Sequence, residues 1–391
     1  MPPDSVLDGS VLGRLDRWRK ARALFVRPDG MEAERALSLA LGKSWSRGQI
    51  YGRSRRITVD RTVPDLLDRL AEALGPLAEH VRVAPEDPAQ TKWDAVGNLA
   101  PLPDSRRQVA ALWLVDVLQT GSLFVEFQPI FDLSSGEILG FEGLLRGRAA
   151  DGATHLAAAL FPAARRLGIE LPFERLSWTL VLEAASRLPE LSMLFLNVNP
   201  TLLTGADPGL SALGAEAERV QFPYTRLALD LVEIERVDLL ERLALALGVP
   251  HDLGVSIALD DITSGYGTIK YCAGLSPRWI KVDSGITRGI ASDSRRRAVL
   301  RLLSEVGRDG HVGLIAEGIE DPEDLDVCVE EGVFAAQGYF LARPSVEPGA
   351  ATPEFTAWLA ARGDRLAPAL EERGGERAKA ERGVAKERFE L

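Results

Sequence analysis

Acidic and amide side chains stand near the carboxyl ends of several short apolar runs in the second part of the chain. Their oxygens are the ligands that Mg²⁺ and Mn²⁺ prefer, and a lysine among them can orient water. A pocket with five or six carboxylates needs cations to limit repulsion. The pattern therefore indicates two-metal phosphoester hydrolysis, with acidic loop starts as the alternative. The side chains are Glu142, Asn197, Asp230, Asp260, Asp261, Lys281, Asp283, Glu317, Glu320 and Gln337.

Repeated strand–helix units are expected to position these residues. Short apolar or β-branched runs alternate with helical segments, and eight units in about 240 residues match the size of a TIM-like (β/α)8 barrel. The carboxyl ends of barrel strands share one face, where the acidic residues would meet. The turn Asp132–Gly136 predicts a hairpin and hence one antiparallel strand. The predicted strands are Leu123–Ile130, Ile138–Leu145, Met193–Val198, Arg226–Leu231, Val255–Asp260, Trp279–Val282, Val312–Ala316 and Ala335–Leu341.

Three domains are predicted. Residues 1–105 form a smaller, mostly helical domain, 106–346 form the barrel, and 347–391 form a C-terminal helix with a charged tail. Prolines between 85 and 103 indicate the linker between the first two domains. Apolar spacing predicts a short strand at Arg56–Val59. It also predicts helical segments over Val11–Phe25, Glu32–Leu41 and Val63–His80.

The composition is that of a globular protein, with 46% hydrophobic and 26% charged residues. We find neither an apolar run long enough to cross a bilayer nor a secretory signal. The two cysteines, Cys272 and Cys328, lack metal-ligand spacing, which favours a reducing cytoplasm. The net charge is −11, yet the first 60 residues carry +5 and the remainder −16. The basic segment Lys43–Arg56 suggests contact with DNA, although a solvated helix face is the commoner explanation.

Several motifs occur in the order found in one known family. The motifs are Phe127–Ile130, Gly140–Arg146, Asn197–Pro200, Leu229–Glu233, Asp260–Gly265, Ile280–Asp283, Ala316–Glu320 and Gln337–Tyr339. Over roughly residues 106–346 the chain therefore resembles the EAL-domain family of bacterial cyclic di-GMP phosphodiesterases. The resemblance implies hydrolysis of cyclic di-GMP to linear 5′-pGpG, and it also suggests a homodimer.

The resemblance also implies a role for each motif residue. Lys281 would bind the attacking water between two ions, Mg²⁺ or Mn²⁺, and Glu317 would be the general base. Glu233 would support the loop after Asp261. The first ion would have the ligands Glu142, Asn197, Asp230 and Asp260, and the second Asp260, Asp261 and Glu317. The nucleotide would be held by Gln128, Leu144, Arg146 and Gln337.

Three departures from the family pattern bear on activity. Gly143 replaces an alanine, for which we expect only a small backbone effect of about 1 kcal/mol. Asp230 replaces a glutamate and is shorter by roughly 1.5 Å, so the change is either tolerated or weakens metal binding. Ile262–Ser264 replaces Phe-Gly-Thr and removes a flexible glycine. An active or weakly active enzyme is the leading hypothesis, and a catalytically inactive cyclic di-GMP receptor or a protein-binding scaffold are the alternatives.

Overall fold

The computed structural model of the chain describes eight stretches of residues. They are 9–87, 91–190, 192–204, 209–232, 234, 240–262, 266–310 and 312–362. These residues form two compact units. The first contains the described residues up to Leu123 and Arg146–Leu176, and the second contains Phe124–Leu145 and the described residues from Ser177 onward. The domain boundaries at 105 and 346 stay predictions, and the charged tail after residue 362 lies outside the described residues. No helix in the described ranges is long and apolar enough to span a membrane.

An antiparallel sheet and several helices make up the chain before Leu123. The sheet has the order β2-β3-β1-β4-β5. Its strands are β1 (Ala23–Pro28), β2 (Gln49–Tyr51), β3 (Ser54–Thr58), β4 (Val81–Pro85) and β5 (Ala100–Pro101). The helices are α1 (Gly9–Lys20), α2 (Met31–Leu41), α3 (Lys43–Arg47), α4 (Val63–Leu74), α5 (Lys92–Gly97), α6 (Leu102–Val109) and α7 (Trp113–Gln119). Helices thus cover more residues than strands, as predicted, but only β3 was anticipated among the five strands.

One of the predicted helical segments, Val11–Phe25, is too long. Leu24 and Phe25 belong to β1, the central strand of the sheet, and both are fully buried. A short apolar run suits a buried strand as well as a helix, so spacing alone misassigned it. The segment predicted over Val63–His80 is helical to its end: α4 stops at Leu74, where Gly75 follows with a φ of +52°, and a 3-10 helix continues over Gly75–His80.

Part of the basic segment Lys43–Arg56 is engaged within the first unit. The Arg55 guanidinium lies 5.0 Å from the centre of the Trp45 ring. Arg56 Nε donates to Glu86 Oε1 at 2.7 Å, and this contact raises the pKa of Arg56 and lowers that of Glu86. These contacts leave fewer charges for a DNA backbone, and DNA binding stays an untested prediction.

The predicted barrel is confirmed, including its antiparallel strand. Eight strands pair in the order β6-β14-β13-β12-β11-β10-β9-β7, and the pairing of β7 with β6 closes the barrel. The antiparallel strand is β6, which runs opposite to its neighbour β14. The barrel strands are β6 (Leu123–Asp132), β7 (Ile138–Arg148), β9 (Met193–Val198), β10 (Leu227–Leu231), β11 (Ser256–Ile262), β12 (Trp279–Val282), β13 (Gly313–Ala316) and β14 (Ala335–Ala336). A short strand that the sequence did not predict, β8 (Thr154–Leu156), pairs with the end of β7.

Helices follow most of these strands. They are α8 (Ala157–Leu167), α9 (Glu170–Ala185), α10 (Pro200–Leu203), α11 (Gly209–Arg219), α12 (Leu240–Asp252), α13 (Tyr266–Leu275), α14 (Ser284–Thr287), α15 (Ser294–Asp309) and α16 (Pro322–Glu330), and 353–362 are also helical. Inside the barrel one cluster takes a buried side chain from each of seven strands. Its members are Ile130, Phe195, Ala228, Ala258, Trp279, Ile315 and Ala335. These side chains fill the barrel interior, and on β9, β10, β11 and β12 they stand two residues before Asn197, Asp230, Asp260 and Lys281.

The last predicted strand is also too long. It was expected to reach Leu341, but β14 ends at Ala336. The chain turns at Gly338, where a Cβ atom would lie 2.1 Å from the backbone oxygen of Ile319. Only glycine permits this approach, and it leaves Gln337 at the mouth of the barrel.

Gly143, the altered position in the family's name motif, is explained by packing. A Cβ atom there would lie 2.4 Å from Cγ1 of Val181, which is buried on α9. The expectation from sequence counted only the backbone freedom of glycine. It left out the steric clash that a side chain at position 143 would make with Val181.

Replacing Gly143 by alanine should lower the free energy of unfolding by about 1–3 kcal/mol, the usual cost of overpacking. Val181→Ala should relieve that cost, so the double variant should lose less than the sum of the single variants in urea denaturation. Gly248→Ala on α12, where nothing lies within 4 Å of the new Cβ, is the matched control. Additive losses would contradict the packing explanation.

Candidate active site

The strand register places the predicted polar residues on the inside of one end of the barrel. Asp230 lies opposite Asn197 on β9, while Glu142 lies opposite Phe195, two residues before Asn197. On the other side Asp230 lies opposite Ala258, two residues before Asp260. Side chains alternate with a period of two, so offsets of zero or two keep all of these groups facing inward.

A β-bulge presents the two consecutive aspartates. Leu259 pairs with Ile280 and Ile262 with Val282, so Asp260 and Asp261 together lie opposite one residue, Lys281. Asp261 adopts a φ of +54°, which is rare for a residue with a side chain. Ordinary strand geometry would point neighbouring side chains to opposite faces, whereas here Asp260, Asp261 and Glu317 offer carboxylate oxygens within 4.8 Å of one another.

Lys281 is the centre of the site. Its side chain is fully buried, and its Nζ lies 2.7 Å from Asp230 Oδ2 and 2.7 Å from Glu317 Oε1. The same Nζ lies 3.1 Å from Asp260 Oδ1 and 3.4 Å from Glu142 Oε2. One ammonium group therefore contacts four carboxylates from four different strands or strand ends.

Amide side chains hold the carboxylates from the other side. Asn197 Nδ2 donates to Glu142 Oε1 at 3.0 Å. Gln337 Nε2 donates to Glu142 Oε2 at 2.7 Å and to Glu317 Oε1 at 3.0 Å. Gln337 was predicted to bind nucleotide, and this bridge between two carboxylates is a contact that the sequence did not reveal. A polar residue just before the close-approach glycine was the one available signal.

Burial and crowding shift the acidities in this cluster. Burial raises the pKa of Asp230 well above its ordinary value, and the neighbouring Asp260 adds to the rise. Burial likewise raises the pKa of Asp260 and, well above its usual range, that of Glu317, although Lys281 opposes both shifts. Burial and then the charge of Asp260 raise the pKa of Asp261 to about 6.

Lys281 and Glu142 remain charged despite their burial. Burial alone would lower the pKa of Lys281, but the surrounding carboxylates raise it well above its ordinary value. Burial would raise the pKa of Glu142, but the charge of Lys281 and hydrogen bonds from Asn197 and Gln337 outweigh it, and the net shift is downward. If the other carboxyls of the site were also ionised, their negative charge would exceed what one ammonium group can balance.

The donor set fits hard divalent cations. Asn197 Oδ1 and Asp230 Oδ1 are buried without a hydrogen-bond partner among the described residues, although buried oxygens are normally paired. Both belong to residues predicted to bind the first ion, and the group of Asp260, Asp261 and Glu317 corresponds to the second predicted ion. Oxygen ligands of this kind suit Mg²⁺ or Mn²⁺.

Other predicted residues have local partners or fall outside the described residues. Asp283 Oδ1 accepts a hydrogen bond from the backbone of Gly285 and caps α14, and Glu320 forms an ion pair with Arg288. These two acidic residues therefore have local partners. Glu233 and the altered loop positions Thr263 and Ser264 fall outside the described residues.

Apart from Gln337, the predicted nucleotide-binding residues lie on the first two barrel strands. Gln128 is buried on β6, Leu144 is half-buried on β7, and Arg146 is buried further along β7, opposite Leu156 of β8. Their contact with a nucleotide stays a prediction.

Comparison with known proteins matches residues 111–344 to the family described as EAL domain. The chain is 26% identical over 241 residues to the probable cyclic di-GMP phosphodiesterase PdeG of Escherichia coli, covering 58% of this chain and 45% of PdeG. It is 28% identical over 262 residues to the cyclic di-GMP phosphodiesterase NbdA of Pseudomonas aeruginosa, covering 62% and 31%. The chain thus spans less than half the length of the curated relatives it matches.

The solved structure of the Xanthomonas citri FimX EAL domain in complex with cyclic di-GMP shares the fold. The TM-score is 0.55 at 19% identity, over 63% of this chain and 97% of that one. Seven described residues of the motifs that suggested the family lie within the matched range and converge at one end of the barrel: Glu142, Asn197, Asp230, Asp260, Lys281, Glu317 and Gln337. This chain belongs to the EAL-domain family.

Proposed function

We propose that this chain is a cyclic di-GMP phosphodiesterase that hydrolyses its substrate to linear 5′-pGpG with two divalent cations. The observation that carries the proposal is the contact of Lys281 Nζ with four buried carboxylates, beside the group of Asp260, Asp261 and Glu317. Membership of a family with relatives named as cyclic di-GMP phosphodiesterases supplies the substrate. We further propose that it acts in the bacterial cytoplasm, consistent with its free cysteines.

The charge balance of the site supports two ions. The carboxylates of Glu142, Asp230, Asp260, Asp261 and Glu317 carry −5 when ionised, and Lys281 reduces the sum to −4. Two divalent cations would bring it to zero. In this proposal Glu142, Asn197, Asp230 and Asp260 would hold one ion, and Asp260, Asp261 and Glu317 would hold the other.

Asp230 is proposed to be a tolerated substitution. Its Oδ2 reaches Lys281 at 2.7 Å although the side chain is shorter than glutamate, and its unpaired Oδ1 remains available as a ligand. The backbone of β10 already holds this carboxyl within the cluster. This supports an active enzyme over a receptor that binds cyclic di-GMP without cleaving it.

The proposed chemistry is the addition of water to one phosphodiester phosphorus. The P–O3′ bond breaks, and the 3′-oxygen leaves with a proton, which yields a linear dinucleotide with a 5′-phosphate. Bound Mg²⁺ or Mn²⁺ would supply Lewis acidity and lower the pKa of the attacking water. Lys281 orients that water, Glu317 accepts its proton, and Gln337 holds the Glu317 carboxylate in place through the hydrogen bond at 3.0 Å. Gln128, Leu144 and Arg146 are proposed to hold the nucleotide.

Chromatography of cyclic di-GMP incubated with the protein and Mn²⁺ or Mg²⁺ tests this proposal. We expect pGpG to form, and Glu317→Gln to lower the rate by about 10²-fold or more, because a proton acceptor is removed without a change in shape. The matched control is Glu320→Gln, since Glu320 pairs with Arg288 at the surface and should be dispensable. Binding of cyclic di-GMP without any turnover, measured calorimetrically, would replace the enzyme by the receptor hypothesis.

Metal binding should strengthen as the pH rises through about 6, the raised pKa of Asp261. Without metal, the folded-state pKa exceeds the unfolded one, so the stabilisation by this carboxyl is lost as the pH rises through 6. A cation prefers the ionised form, so the Mn²⁺-induced increase in melting temperature should be larger at pH 7.5 than at pH 5. Asp261→Asn should reduce that difference, and an increase that does not depend on pH would count against Asp261 as a ligand.

The homodimer suggested by the family is proposed to form through α12. Leu245 and Val249 lie one turn apart on α12 and Leu253 directly follows the helix; they are 80%, 68% and 50% exposed. An apolar stripe of this kind on a helix surface is typical of a contact site.

Light scattering after gel filtration should give twice the 42.4 kDa chain mass. Leu245→Glu with Val249→Glu should yield a monomer, because two charges would be buried in the contact. Leu302→Glu, which changes a leucine 52% exposed on α15, is the matched control and should leave the dimer intact. A monomeric parent chain would disprove this proposal.

A further inference from the structure

The amino-terminal unit contains a cavity that the proposed phosphodiesterase chemistry does not use. Its volume is about 650 Å³, within the range of small-molecule sites. It lies between the end of α1, the segment that leads into β1, the start of α4 and the end of α6. The lining includes Trp18, Arg22, Val59, Arg61 and Leu112.

The charged side chains that line the cavity are all cationic. Two of them are engaged elsewhere: Arg19 Nη2 donates to Asp116 Oδ2 at 2.7 Å, and Lys20 pairs with Asp16. Arg22 and Arg61 also line the cavity, and neither has an ion pair or side-chain hydrogen bond to any described residue. Two guanidinium groups thus face one cavity with no acidic side chain in its lining, which favours an anion.

Part of the lining is apolar. Trp18 and Leu112 are only 6% and 7% exposed, and Val63 at the start of α4 is also buried. The Trp18 indole is held in place because its Nε1 donates to Gln108 Oε1 at 3.1 Å. A fixed aromatic ring beside free guanidinium groups suits a ligand with one charged end and one flat apolar part.

The start of α4 adds a weaker attraction for negative charge. The helix has 12 residues, and its amino-terminal end, next to Arg61, lines the cavity. Helix dipoles favour anions at this end. The Thr62 hydroxyl already accepts from the Asp65 backbone, so the guanidinium groups are the main anion ligands.

We propose that this cavity binds a small amphipathic organic anion. Its phosphate, sulfonate or carboxylate contacts Arg22 and Arg61, and its apolar ring packs against Trp18 and Leu112. The proposal is independent of the barrel chemistry, because every residue that lines the cavity precedes Leu123.

The test uses the full chain and the fluorescent probe 1-anilinonaphthalene-8-sulfonate. We expect saturable binding of one probe molecule per chain, weakened about tenfold or more in Arg22→Gln with Arg61→Gln, because charge-assisted hydrogen bonds are lost. Arg61→Glu should weaken binding further. Both arginines are exposed, so these variants should fold, which circular dichroism checks. Arg53→Gln, in the turn between β2 and β3, is the matched control and should bind like the parent chain.

Competition defines the ligand. 1-Naphthyl phosphate and 1-naphthoate should displace the probe, whereas 1-naphthol lacks the charge and inorganic phosphate lacks the ring, so both should compete at least tenfold more weakly. The relative strength of the two naphthyl anions decides between a phosphorylated and a carboxylated natural ligand. Equal binding of the probe by the double variant, or equal competition by 1-naphthol, would overturn the proposal.

Discussion

One buried ammonium group among four carboxylates is the interaction on which the barrel site depends. Lys281 is fully buried, and removal from water would normally favour its neutral form. The carboxylates around it keep it charged, and it in turn offsets part of their repulsion. The four partners come from β7, β10, β11 and the end of β13, so these strands must all pair in register before the four carboxylates surround Lys281.

The residues around Lys281 do not compensate all of each other's charges and hydrogen-bonding groups among the described residues. The pKa values of Asp230, Asp260 and Glu317 are raised, because burial and neighbouring carboxylates disfavour their ionised forms. Without cations, these carboxyls therefore bind protons more readily than exposed ones do. Asn197 and Gln337 hold carboxylates by their amide groups, yet Asn197 Oδ1 and Asp230 Oδ1 have no described partner. Crowded carboxylates together with buried, unpaired oxygens are properties that fit hard divalent cations.

Two departures from the family motifs have different structural explanations. Gly143 matches a local packing constraint, because Val181 fills the space where a Cβ would lie. Asp230 keeps its carboxyl within reach of Lys281 despite its shorter side chain. From the sequence, the effect of each substitution could be judged only by side-chain length or backbone freedom. The neighbours that decide the effect, Val181 and Lys281, are distant in the chain.

The family resemblance, the barrel with one antiparallel strand and the acidic residues near the strand ends could all be predicted from the sequence. Strand periodicity and motif order carry that information along the chain. The folded structure was needed to show that a bulge turns both Asp260 and Asp261 toward the site and that Gln337 bridges Glu142 and Glu317. It also decided that Leu24 and Phe25 form a central strand, and that a cationic cavity exists before the barrel. These features depend on pairing between distant segments, for which local spacing holds no signal.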